Sequence, residues 1–135
     1  MSSKRIIVDK LVRDKIPKII KEDGGKPAFY SMYGYPFKSA LFKKLNEEAN
    51  ELRIATADNT LEELADIYEV FLSIIKYYRF TIDDVVKAAD NKRKEKGGFN
   101  SHIFLHSYFI NEDSNPSDNG AKELNEIFND EKELK

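Results

Sequence analysis

The chain contains no cysteine, which excludes disulfides and thiolate metal sites and suits a reducing cytoplasm. It also lacks the charge bias that a general grip on nucleic acid requires. Its 22 basic and 24 acidic side chains leave a net charge of -2. No long hydrophobic run is present. The most apolar stretch, residues 67–78, holds Glu69, Ser73 and Lys76 and is too short to span a bilayer. The opening MSSKRIIVDK has no apolar segment of the kind that directs secretion. Histidines are scarce and poorly placed for metal. His102 and His106 lie four apart in an aromatic, β-branched segment, and in an extended strip that spacing does not gather two imidazoles. The expectation is a cytoplasmic, soluble chain of 135 residues with one main domain and neither a membrane nor a nucleic acid as partner.

What is present is helical periodicity, and it predicts an all-α antiparallel bundle of about four main helices. Pro17 in a first turn, with Asp14 as N-cap, starts a short helix whose apolar face is Ile16, Ile19 and Ile20, and Gly24-Gly25 ends it. Residues 26–36, with Pro27, Gly34 and Pro36 among four aromatics, read as a loop with a short extended piece at 28–30. A long helix is expected over 37–57, broken by Asp58-Asn59. The next runs over 61–78 and is apolar on most sides, as a helix central to a bundle or at a subunit interface would be. Thr81, with Asp84 three residues on, caps a helix over 82–96 that Gly97-Gly98 stops. Residues 103–110 read as an extended strip after the bundle. The domain is expected to span 1–110, followed by a polar linker and an acidic amphipathic helix within 111–135.

The anomaly lies inside the helical stripes. Leu41, Leu45, Glu48, Leu52 and Ala55 follow steps of four, three, four and three along one helix face, with Glu51 at its edge. The next helix repeats the intrusion with Glu63, Ile67, Val70 and Ile74, and Asp66 stands beside Glu63. An acid on an apolar stripe is costly unless a partner compensates it. Like-charged carboxylates at ~4 Å cost about 4 kcal/mol per pair at an effective dielectric near 20. Two acid pairs on neighbouring helices therefore point to a shared divalent cation. All-oxygen donors favour Mg²⁺, or Mn²⁺, over zinc. Two of the four acids also have ordinary explanations. Thr60-Leu61-Glu62-Glu63 reads as a capping box that would occupy Glu63, and Glu51 reads as a solvated helix charge. On those explanations the chain is a non-catalytic helical interaction module.

Basic residues complete the pattern. Lys10, Arg13 and Lys15 alternate with apolar Leu11 and Val12, either as a solvated arm or as one that docks its apolar residues while Arg13 faces an anion. Lys92, Arg93 and Lys96 crowd the end of the fourth helix, where cations complement the dipole and also suit a polyphosphate.

Glu47-Glu48-x-x-Glu51 followed by Glu63-x-x-Asp66 resembles the paired acidic motif of the all-α nucleoside triphosphate pyrophosphohydrolases, the MazG-like superfamily. The flanking KLVRDKIP and KRKEKGGF are similar to its phosphoribosyl-ATP pyrophosphohydrolase-like subgroup, and the resemblance covers about residues 10–105. It implies Mg²⁺-dependent cleavage between the α and β phosphates, giving a monophosphate and pyrophosphate. It implies Glu48, Glu51, Glu63 and Asp66 as metal ligands and Arg13, Asn91, Lys92, Arg93 and Lys96 as phosphate contacts. It also implies a homodimer or homotetramer. Glu47 matches the motif's leading acid, yet its helical position points it away from the stripe.

Overall fold

The computed structural model describes residues 2–111, so the expected helix within 111–135 lies outside the described residues. Four helices appear in this order: α1 Ile16–Glu22, α2 Gly34–Ile54, α3 Thr60–Tyr77 and α4 Ile82–Lys96. Among the described residues there is no strand, and none of the helices is long and apolar enough to cross a membrane.

α2 and α3 form the main packed pair. Phe37, near the start of α2, meets Tyr77 at the end of α3 with ring centroids 6.3 Å apart. Glu48 of α2 meets Glu63 of α3 at the other end. The pair is therefore antiparallel, and the acids lie at its closed end, beside the connection. Neither α1 nor α4 makes a comparable contact.

The predicted stripe is the buried one. Leu41 is 2% exposed and Glu48 9%, while Leu45, Leu52 and Ala55 are half-buried. On α3 the stripe buries Val70 and half-buries Ile67 and Ile74. Only Leu41, Val70 and Ile75 are buried hydrophobics among the described residues, and each contributes about 1.5–3 kcal/mol. Leu64 and Tyr68 on α3 remain exposed, as do Ile19 on α1 and Val86 on α4.

Helix ends account for the departures from expectation. α1 begins where expected, but its N-cap residue is Lys15 rather than Asp14, and no side chain caps it. α2 starts three residues early, at Gly34, whose φ of +61° is open to glycine, and Pro36 is tolerated in a first turn, whose amides need no intrahelical partner. α2 also ends early: Ala55 and Thr56 are extended, and Ala57–Asn59 form a short 3-10 turn.

The capping box expected at Thr60 and Glu63 does not form. The N-cap of α3 is Asn59, and no side chain makes a cap hydrogen bond there. The Thr60 hydroxyl donates instead to the Thr56 carbonyl at 3.0 Å. At α4 the expected box does form: the Asp84 amide donates to Thr81 Oγ1 at 3.1 Å and the Thr81 amide to Asp84 Oδ2 at 2.8 Å. α4 packs little against the other described helices, so this cap contributes directly to its stability. Thr81→Ala is expected to cost α4 about 1 kcal/mol. The loss is measured as faster amide exchange over residues 82–86, with α2 and α3 unaffected.

Residues 98–111 belong to a second unit that begins at Gly98. A turn closes with the His102 amide on the Phe99 carbonyl at 3.1 Å, and residues 103–111 carry no regular secondary structure.

Candidate metal centre

Three of the four predicted acids converge. Glu48, Glu63 and Asp66 can each offer a carboxylate oxygen such that all three lie within 4.8 Å of one another. Glu48 reaches the point from α2; Glu63 and Asp66, three apart, reach it from one side of α3. Glu51 is not among the three. It stands exposed one turn beyond Glu48, but its charge still acts on Glu63.

The electrostatics agree with this geometry. Partial burial, then the charges of Asp66, Glu48, Glu51 and Glu62, push the Glu63 carboxyl above its ordinary value of 4.5. With no cap to serve, Glu63 lies among like charges without a cationic partner among the described residues. Glu47 behaves in the opposite way. Burial pushes it up, but the Lys10 and Lys44 ammonium groups outweigh burial and hold it below its ordinary range. Glu47 is outside the three-oxygen cluster and anchors cations.

Those cations are the part that stripe reasoning missed. Lys44 Nζ lies 3.4 Å from Glu47 Oε1 and 3.4 Å from Glu48 Oε1, and only 22% of its side chain is exposed. The signal was available, since Lys44 precedes the two acids by three and four residues on one helix. Arg13 Nη2 lies 2.8 Å from Asp66 Oδ1, so the arm's arginine does face an anion, here a carboxylate of the cluster. Leu11 beside it is half-buried while Val12 stays exposed.

The other predicted phosphate contacts stand apart. Asn91, Lys92, Arg93 and Lys96 are exposed on the final turns of α4, and Arg93 pairs with Asp90 of its own helix at 2.9 Å. No ion pair links them to the acid cluster among the described residues.

The donors suit a hard divalent ion. They are carboxylates, they come from two helices, and one of them is nearly fully buried. An octahedral Mg²⁺ needs oxygens at about 2.0–2.1 Å and keeps several positions for water or substrate. The three carboxylates already offer oxygens within 4.8 Å of one another, although Asp66 is also paired with Arg13. Comparison with family models, with curated proteins and with solved structures gives no match to this chain.

Proposed function

We propose that the chain is a Mg²⁺-dependent nucleotide pyrophosphohydrolase of the MazG-like kind, in a cytoplasmic setting. On this reading it hydrolyses a nucleoside triphosphate, or a phosphoribosyl-ATP-like substrate, between the α and β phosphates. Water adds across that anhydride, and the products are a monophosphate and pyrophosphate. The observation that carries the reading is the convergence of Glu48, Glu63 and Asp66 from two helices, with Glu63 free of any cap.

Bound Mg²⁺, with Mn²⁺ as a substitute, would supply polarisation of a phosphoryl oxygen and a more acidic water. Glu48, Glu63 and Asp66 hold the ion. Glu51, exposed and outside the three-oxygen cluster, is the acid left to take a proton from the attacking water. Arg13 is the nearest arginine to the cluster and offers a bidentate fork to phosphate. Asn91, Lys92, Arg93 and Lys96 join as phosphate contacts in an assembly that brings a second chain's α4 to the site.

The exposed apolar faces support such an assembly. With three buried hydrophobics among the described residues, exposed apolar side chains such as Leu64 and Tyr68 are candidates for cover by copies of the same hairpin. Sedimentation is expected to give two or four times the 15.6 kDa chain mass.

The direct test is a panel of ribo- and deoxyribonucleoside triphosphates with Mg²⁺ and product identification. Pyrophosphate with a monophosphate is expected. Inorganic phosphate as the first product, or no turnover across the panel, counts against the reading. Glu51→Gln is expected to lower turnover about a hundredfold while Mn²⁺ affinity changes little, as loss of a general base should. The assay is steady-state turnover beside a Mn²⁺ titration.

A further inference from the structure

The cations around the acid cluster arrive from two different parts of the chain. Lys44 belongs to α2, whereas Lys10 and Arg13 come from residues 2–15, which form no helix. This segment touches both acidic helices. Lys10 Nζ lies 3.2 Å from Glu47 Oε1 on α2, and Arg13 Nη2 lies 2.8 Å from Asp66 Oδ1 on α3.

Leu11, between Lys10 and Arg13, is half-buried, and little else fixes the segment. Ile6, Ile7 and Val8 are 75%, 63% and 50% exposed, so the stretch before Lys10 has almost no apolar hold. The backbone turns at Asp9, whose φ is +46°. On the other side the Ile16 amide donates to the Arg13 carbonyl at 3.0 Å, tying the segment to the start of α1. The segment is thus attached at one end and held across the acids mainly by charge, with the half-buried Leu11 as its one apolar hold.

We propose that residues 9–13 are a cation-gated strap. Arg13 closes on Asp66 when the acid cluster holds no divalent ion, and a divalent ion releases it to turn towards an anionic substrate. The proposal rests on reading Glu48, Glu63 and Asp66 as a divalent-cation centre. Asp66 cannot give its full charge to a guanidinium and a divalent ion together, and the two cations would repel across a single carboxylate. The strap therefore weakens cation binding by the same factor as the cation weakens the strap. A polyphosphate supplies Arg13 with a replacement anion matched to its planar fork, so substrate draws the strap shut again over an occupied centre.

The test uses the full chain, with Mn²⁺ alone as the first probe and electron paramagnetic resonance of free Mn²⁺ as the readout. Arg13→Gln is expected to bind Mn²⁺ about fivefold or more tightly than wild type, a typical coupling between two sites, while its turnover falls. An arginine needed only for folding would weaken Mn²⁺ binding, and one that only met phosphate would leave it unchanged. The substitution is mild for the fold, because the Arg13 side chain is 56% exposed.

A second readout needs no variant. Tryptic cleavage after Arg13 in the wild type, followed by mass spectrometry, is expected to accelerate with Mn²⁺ and to slow when inorganic pyrophosphate is added. Equal or weaker Mn²⁺ binding by Arg13→Gln, with cleavage indifferent to Mn²⁺, overturns the strap. The cation centre survives that result if the wild type still binds Mn²⁺ more tightly than Glu48→Gln. No difference between wild type and Glu48→Gln overturns centre and strap together.

Discussion

Glu48→Gln is expected to reduce pyrophosphate release by about a hundredfold or more without unfolding the protein. Changes to residues that merely orient metal ligands cost about 10- to 100-fold, so loss of a ligand belongs at or beyond the upper end. Glu48 is the most informative acid because it is 9% exposed and lies on the stripe that packs α2 against α3. Glutamine preserves its shape and removes its charge. In the chelated protein that exchange relieves Glu63, whose carboxyl is raised in part by the Glu48 charge. Lys44 loses one partner but keeps Glu47 at 3.4 Å. The melting temperature in chelator is therefore expected to be unchanged or higher, while the response to Mg²⁺ disappears. Wild-type turnover by Glu48→Gln would remove the basis for the catalytic reading. A collapse of the fold in chelator would instead assign Glu48 to packing and to the Lys44 pair.

Local contacts were largely legible in the sequence, and long-range ones were not. The stripe through Leu41, Glu48 and Val70 was legible because helical periodicity determines which residues share a face, and burial followed it. The Thr81–Asp84 box was legible for the same reason: both partners sit within one turn. The apparent box at Thr60 and Glu63 misled because its threonine had a competing acceptor. The Thr56 carbonyl, exposed by the early end of α2, takes the Thr60 hydroxyl at 3.0 Å. That local competition leaves Glu63 to the acid cluster, and the pattern of residue types gave no warning of it. Arg13 and Asp66 are 53 residues apart, so their contact follows only from the path of the arm. Glu51 was included for its spacing and its place in the acidic motif; it lies outside the three-oxygen cluster, but its charge still acts on Glu63. The small core among the described residues has a different cause. A composition of 41% hydrophobic residues measures what can be buried, not whether one chain supplies both surfaces.

Mg²⁺ should stabilise the protein, and the gain should grow as pH rises. At about a hundred times its dissociation constant, a ligand specific for the folded state adds about 2.7 kcal/mol. For a domain of this size that is a melting-temperature increase of roughly 10 °C. The pH dependence follows from the direction of the Glu63 shift. Its folded carboxyl titrates above the ordinary value of 4.5, so the fold favours its protonated form. In chelator, the stability from this group is fully present below 4.5 and is lost as pH rises through the raised folded value. Glu47 contributes in the opposite sense: its stability is present above the ordinary range and is lost only as pH falls through its lowered folded value. The range just above 4.5 therefore belongs to Glu63. Mg²⁺ binds the carboxylate and releases the proton, which cancels the loss. Thermal melts in chelator and in saturating Mg²⁺ are expected to diverge as pH rises through that range. Glu63→Gln should narrow the divergence, because one of the three carboxylates then has no proton to release. Parallel melts in the wild type would mean that Mg²⁺ does not engage Glu63, and the cluster would then be one of surface charges held by Lys44 and Arg13.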